Sequence, residues 1–224
     1  MKKVVISLGG SVIVPDEVDY KYLKKFSKLI SKFSKKNKVV IITGGGSTAR
    51  EYIEPLTKAK LGNYIYSLVG IAATKLNARL VSGFFKETKK IPENIKEIKN
   101  KLKKSNLVIS GALGVQPNMT SDGNAAQIAE AIKADIFINI TNVQGLYNKN
   151  PKIRGAKLIT EISYTDFSKM VNKIKYKAGQ HFVLDKPAAD IIKKAKIKTV
   201  IINKDLKNLK NVLKEKNFVG TLIN

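Results

Sequence analysis

The sequence contains no cysteine, which rules out disulfides and thiolate metal sites and leaves the redox compartment open. It has one histidine, His181, in a Gly-Gln-His-Phe stretch. An isolated histidine of this kind reads as a surface or interface residue rather than a positioned proton acceptor. Arginine is found only at Arg50, Arg79 and Arg154. No apolar stretch approaches ~20 residues, and Met1 leads directly into a core-like strand, so neither a membrane span nor a signal peptide is visible. The expected location is the cytoplasm. Internal repeats, linkers and low-complexity segments are missing as well, and 224 residues are expected to form one domain, 1–224. Neither a Walker loop nor a GxGxxG motif occurs.

What is present in excess is positive charge, +25 at pH 7 with a pI of about 10.0. Such a balance favours anionic partners: nucleotides, phosphates or nucleic acid. With so little arginine, nearly all of it is lysine, spread over helix faces and connections rather than gathered in one tract. No run interleaves aromatic and basic residues as a base-stacking platform would. A solvated lysine surface is therefore the plainer account, and a nucleic-acid partner the lesser one.

The most telling stretch is Lys38–Arg50, KVVIITGGGSTAR. Its short β-branched run suits a strand buried in a parallel sheet. Gly44, Gly45 and Gly46 follow, without side chains to keep an anion from backbone N–H groups, and a helix start beyond them aims free N–H groups at the same point. Thr48 and Glu51 stand at capping-box spacing, and Arg50 lies one turn in, within reach of a phosphate held by the loop. Taken alone, three glycines serve equally well to keep a strand–helix turn tight.

Before and after this stretch, strand and helix signals alternate. Lys3–Leu8 reads as a strand ending in Gly9-Gly10-Ser11. Tyr20–Lys36 reads as an amphipathic helix with lysine on its outer face, and Tyr64–Val81 as a weakly charged helix packed on both sides or at an interface. A short helix around Ile95–Leu102 and strand Leu107–Ser110 precede a polar loop, Gly111–Gly123. Then come helix Asn124–Lys133, strand Asp135–Ile140, loop Thr141–Ile153, a helix near Thr165–Lys175, a Gly179 turn and a helix from Pro187. Strand Thr199–Ile202, helix Leu206–Lys214 and strand Phe218–Ile223 complete an α/β chain with a mostly parallel sheet between helix layers. Ligands of such sheets bind beyond the carboxyl ends of the strands. There the Gly9–Ser11 turn, the triple glycine, the Gly111–Gly123 loop and Thr141-Asn142 would surround an elongated anion or two ligands end to end, as phosphoryl transfer requires.

The ordered succession SLGGSV, TGGGSTAREYIE, LVGIAATKLNARL, QPNMTSD, ADIFINITNVQGLYNKNP and AGQHFVLDKPAADII resembles the amino-acid kinase superfamily and, within it, the archaeal type of UMP kinase. The resemblance covers nearly the whole chain. It implies a three-layer α/β/α sandwich that transfers the γ-phosphate of ATP to UMP with Mg²⁺, as a homohexamer. By the same resemblance Gly9, Gly10 and Ser11 meet the ATP phosphates, with Gly46 and Arg50 on the ATP side and Gly45 on the UMP side. Gln116, Pro117, Asn118, Met119, Thr120 and Ser121 hold UMP, while Thr141, Asn142, Tyr147 and Asn150 flank the base and ribose of ATP. Asp185 matches an acidic residue that orients a lysine or a metal, so Arg50 and Asp185 are the expected catalytic pair, with Lys186 a further source of positive charge and no dedicated protein metal site.

Several positions depart from the pattern. Ser7 stands where relatives carry lysine or aspartate, Ser67 where an aspartate grips the UMP ribose, and Gln144 and Asn150 where aspartates occur. The UMP loop is longer than usual, and Asn118 occupies a position often given to glycine. No swap touches a glycine of the phosphate loops. Two alternatives stay open at this point: a sister kinase for another oxyanion (isopentenyl phosphate, carbamate or acetylglutamate), and a non-enzymatic basic relative that binds nucleotides or RNA.

Overall fold

Six-residue β-branched runs need apolar contacts on both faces, and they find them at the centre of a seven-stranded sheet. In chain order its strands are β1 (Lys3–Leu8), β2 (Lys38–Thr43), β3 (Leu107–Ser110), β4 (Ile136–Thr141), β7 (Glu161–Ile162), β8 (Thr199–Asn203) and β9 (Thr221–Ile223). Across the sheet they run β3-β2-β1-β4-β8-β9-β7, all neighbours parallel except the antiparallel pair β8–β9. In this computed structural model the residues described are 1–116, 119–173 and 184–224, so the expectations for Pro117, Asn118, the Gly179 turn and His181 lie outside them.

Strand alternation sends Val4, Ile6 and Leu8 to one face and Val5 to the other. The first face is covered by α2 (Tyr20–Ser34), α4 (Asn63–Phe84) and α9 (Leu206–Leu213), through residues such as Phe26, Val81 and Leu209. The opposite face is covered by α5 (Ile95–Lys104), α6 (Ser121–Ile132), α7 (Tyr164–Lys173) and α8 (Lys186–Ala195), through Ile98, Ile128, Phe167 and Ile192. The result is a three-layer α/β/α sandwich. Helix α3 (Gly46–Lys58) lies against α4 and the single turn α1 (Gly10–Ile13).

Caps set most helix starts. Asp19 accepts from Tyr22 N at 3.0 Å, Asn94 from Glu97 N at 2.9 Å and Asp205 from Lys207 N at 2.8 Å. The expected capping box at Thr48 and Glu51 is not formed, because α3 already begins at Gly46, with Gly45 in the cap position and no side-chain cap. Gly46, at φ 67°, turns the chain straight from the loop into the helix. Helix α6 likewise starts at Ser121, three residues before the expected Asn124, because Thr120 supplies its cap. Sequence periodicity also passes over α1 and the two-residue strands β5 (Leu146–Tyr147), β6 (Leu158–Ile159) and β7. Elements of two to four residues are too short for a period to register. The β5–β6 pair forms a small antiparallel arm, with β5 inside what reads as loop from Thr141 to Ile153 and β6 a few residues beyond it.

The weakly charged helix α4 is not covered on both sides. Tyr64, Leu68 and Leu76 stay 68%, 40% and 60% exposed and share one stripe with Ala72 at four-residue spacing. Among the described residues no helix is long and apolar enough to cross a membrane.

Candidate active site

Strands β3, β2, β1 and β4 are consecutive in the sheet and parallel, so the loops that leave their carboxyl ends stand side by side on one edge. The two glycine loops do more than approach: they interlock. A Cβ on Gly10 would overlap the backbone N of Gly46, and one on Gly46 would stand 2.5 Å from Gly10 O. Gly44 N donates to Leu8 O at 2.9 Å, and Ser47 N to Val14 O at 3.0 Å, fastening the second loop to the first. Gly9 N donates to Ile140 O at 2.9 Å, which ties the first loop to the end of β4 and brings Thr141 beside it. From below, the Asn77 amide of α4 donates to Gly44 O at 2.8 Å and Gly45 O at 3.0 Å. Carbonyl groups are thereby taken up inside the protein, and Ser11, half-buried in α1, stays at the rim of the paired loops.

Arg50 sits one turn into α3, exposed, and its guanidinium donates to Pro15 O at 3.1 Å, in the connection after α1. It is thus held beside both glycine loops by one bond, with its remaining donors unspent.

A second cluster lies under the loop that follows β3. Ser7 of β1 and Asn139 of β4 are register partners on neighbouring strands, and both are buried. Ser7 Oγ donates to Asp122 Oδ1 at 2.5 Å, and Asn139 Nδ2 donates to the same oxygen at 2.8 Å. Desolvation pushes the Asp122 carboxyl up to about 7, and the negative charge of Asp185 adds to the rise; the Ser7 and Asn139 bonds pull the other way. Thr120 Oγ1 accepts from Asp122 N at 3.2 Å and donates to Asp185 Oδ2 at 2.6 Å, while Thr120 N donates to that oxygen at 2.7 Å. Asp185 Oδ1 caps α8 by accepting from Ala188 N at 2.7 Å. Gly123 makes this packing possible, because a Cβ there would stand 3.1 and 3.2 Å from the Asp185 carboxylate oxygens.

The remaining expected residues are distributed unevenly. Gln116 exchanges both of its amide groups with Gln127 of α6, at 3.1 and 2.8 Å, and Met119 Sδ accepts from Asn124 Nδ2 at 3.1 Å. Both stabilise the loop itself. Ser121 is half-buried in the first turn of α6. Ser67 Oγ turns back to Asn63 O of its own helix at 2.9 Å, so its hydroxyl is engaged locally. Thr141 ends β4 opposite Asn203 of β8, and its side chain donates to Asn142 Oδ1 at 3.4 Å. Tyr147 OH donates to Gln144 Oε1 at 3.1 Å, and exposed Asn150 accepts from Lys152 N at 3.0 Å, both outside the glycine-loop cluster. Lys186 is exposed at the start of α8.

Sequence reasoning singles out neither Asn77 nor Asn139, nor the direct link between Ser7 and Asp122. The available signal was polarity out of place: Ser7 and Asn139 each interrupt an otherwise apolar strand one or two residues before its end. Such a residue must find a partner in the core or cost stability.

An α/β sandwich with paired glycine loops at the carboxyl edge of its parallel strands, next to a half-buried carboxylate pair, has the arrangement with which such folds can hold phosphorylated ligands. The model of the Amino acid kinase family matches residues 2–203. The uridylate kinase of Archaeoglobus fulgidus is 38% identical over 223 residues, 99% of each chain, and that of Thermoplasma volcanium is 35% identical over 224 residues, covering 99% of this chain and 97% of its own. The crystal structure of uridylate kinase from Archaeoglobus fulgidus superposes with a TM-score of 0.87 and 36% identity over the whole of both chains. The chain belongs to the amino acid kinase family.

Proposed function

We propose that this protein is a uridylate kinase, transferring the γ-phosphoryl group of ATP to UMP to give UDP and ADP in the cytoplasm. The observation that carries this reading is its end-to-end likeness to archaeal uridylate kinases, with the same fold over the full length. A UMP phosphate oxygen attacks the γ-phosphorus, and the bond to the β,γ-bridging oxygen breaks to release ADP. The acceptor is already an oxyanion near neutral pH, so no general base is required, in keeping with a single histidine.

Gly9, Gly10, Ser11 and Gly46 are assigned to the ATP phosphates, with Arg50 stabilising the group in flight. Thr141, Asn142, Tyr147 and Asn150 are assigned to the nucleoside of ATP. Gly45, Ser67, Gln116, Met119, Thr120 and Ser121 are assigned to UMP, with Asp185 holding the Thr120 turn beside them. Among the described residues no group of three or more His, Cys, Asp or Glu is arranged to hold a metal ion. Asp122 and Asp185, drawn together through Thr120, would present carboxylates to the hydration shell of Mg²⁺ carried on the ATP phosphates. When bound, Mg²⁺ neutralises charge on the transferring phosphoryl group.

The test is ADP release with Mg²⁺ or Mn²⁺ across UMP, CMP, isopentenyl phosphate and carbamate. UMP is expected to be the preferred acceptor; preference for another acceptor, or binding of both nucleotides without UDP formation, would overturn the assignment. Arg50→Ala is expected to lower turnover by about ten- to a hundredfold, the worth of one charge-assisted contact of roughly 1.5–3 kcal/mol, with a smaller change in the Michaelis constant for UMP. Equal losses in both constants would remove Arg50 from the transferring group.

We assign the exposed α4 stripe of Tyr64, Leu68 and Leu76 to contact between copies in a homo-oligomer, a homohexamer by family likeness. Sedimentation is expected to give a multiple of the chain mass, and a Leu68→Glu, Leu76→Glu double variant a smaller species. An unchanged mass in the variant would put the interface elsewhere.

A further inference from the structure

Helices α2 and α9 pack side by side over one face of the sheet, and neither contains a single Asp or Glu. Every helix of the opposite layer contains at least one, as at Glu97, Glu130, Asp166 and Asp190. On α2 the exposed positions are Lys21, Lys24, Lys25, Lys28 and Lys32, relieved only by Tyr20 and Ser31. On α9 they are Lys207 and Lys210. The charges therefore form a continuous stripe along a helix about 22 Å long, at 1.5 Å per residue, with α9 widening it.

Acids close to this layer gather at its ends and leave most of it uncompensated: Asp16, Glu17 and Asp19 precede α2, where Asp19 feels Lys21. Asp19 caps α2 and pairs with Lys204 at 3.0 Å, Glu215 pairs with Lys2 at 2.6 Å, and Asp205 caps α9. No ion pair among the described residues involves a lysine of the α2 stripe or of α9. Holding so many like charges on two adjacent helices costs free energy through repulsion, and a polyanion laid along them relieves it.

We propose that the α2–α9 layer is a docking surface for the phosphate backbone of a nucleic-acid duplex. Duplex backbone presents about one negative charge per 1.7 Å of its axis, so a rigid stripe of this length meets several phosphates at once. Lysine supplies compact point charges without the planar fork that reads base edges, so binding is independent of sequence. A lipid surface is the poorer fit. On α2, Leu23, Phe26 and Ile30 are at most 1% exposed and belong to the core, Leu29 and Phe33 are half-buried against it, and only Tyr20 stands out from the lysine face, so the helix offers no continuous apolar face to a bilayer.

The test compares four-lysine variants of equal net charge. One carries Lys21→Gln, Lys25→Gln, Lys28→Gln and Lys32→Gln on α2; the other carries Lys96→Gln, Lys99→Gln, Lys103→Gln and Lys104→Gln on α5, all exposed positions. Binding is measured to short RNA and DNA duplexes of one sequence and a scrambled sequence, and to anionic vesicles, between about 50 and 200 mM salt. Kinase turnover equal to the parent's, together with a melting temperature no lower than the parent's, confirms that both variants are folded. The parent is expected to bind all duplexes alike. The α2 variant should bind at least about tenfold more weakly, with a salt slope shallower by roughly 3–4, and the α5 variant should stay near the parent. Equal weakening in both variants would show that net charge, not this layer, is responsible and would overturn the proposal. So would vesicle binding tighter than duplex binding and lost in the α2 variant, or no duplex binding by the parent at the lowest salt.

Discussion

Gly10→Ala is expected to reduce turnover by at least about a hundredfold while most of the fold survives. The added methyl would overlap Gly46 N and lie 2.6 Å from Gly46 Cα and 2.7 Å from the Gly45 carbonyl carbon. These are backbone atoms and cannot swing aside as the end of a flexible side chain could. Gly46 is already held at φ 67° between Gly10 O and Val14 O, so the strain cannot be absorbed there. The two loops must part by about 1 Å, and a displacement of that size between catalytic groups is enough for a loss of about 10² in rate. Gly83→Ala is the control: Gly83 lies in the last turn of α4, and a Cβ there would meet nothing within 4 Å. That variant should match the parent in rate and be equally or slightly more stable, as helix propensity favours alanine. Steady-state kinetics alongside thermal melts would decide the matter. A Gly10→Ala enzyme of normal rate would mean that the interlocked loops are not the phosphate cradle.

Asp122→Asn is expected to separate stability from activity. Burial raises the Asp122 carboxyl from an ordinary 3.8 to about 7 in the folded chain. The folded state therefore holds this proton more tightly than the unfolded state. Below about pH 4 both states are protonated and the group costs nothing. Stability then falls as pH rises through the window from about 4 to 7, and above it the full cost remains. At about 1.4 kcal/mol per unit, a shift of this size corresponds to a few kcal/mol. Asparagine retains the Oδ1 acceptor used by Ser7 Oγ and Asn139 Nδ2 but carries no charge. The variant should therefore melt higher than the parent at pH 8, with the difference vanishing near pH 4. Turnover should fall, because a carboxylate kept in a site at a cost in stability is one the site uses. A flat stability difference across pH would show that Asp122 is not the group being desolvated. Unchanged turnover would make its role structural.

Much of the architecture was already legible in the sequence. Runs such as Lys38–Thr43 and Lys3–Leu8 are β-branched, apolar and closed by glycine, and both became central parallel strands at those positions. The six ordered motifs were enough to name the family, and the alternation of strands and helices put the two glycine loops at one edge of the sheet. Legibility failed where elements were shorter than a period, as in α1 and the β5–β6 arm. It failed also where a start was set by contact rather than composition: Thr48 and Glu51 have capping-box spacing, yet α3 begins at Gly46 because the neighbouring loop holds it there.

By itself, then, the sequence determined the order of strands and helices, the apolar faces, the glycine loops and a lysine-rich exterior, because each follows from local pattern and residue type. Only the tertiary structure decided which residues meet. Ser7, Asp122 and Asn139 come from three elements up to 132 residues apart in the chain, and β1–β4 pairing together with the position of α6 brings them within hydrogen-bond distance. Gly10 and Gly46 are adjacent only because β1 and β2 are parallel neighbours in register. Hydrogen bonding and close packing act over a few ångströms. A sequence states which groups are available for such contacts, and the sheet order determines which of them are paired.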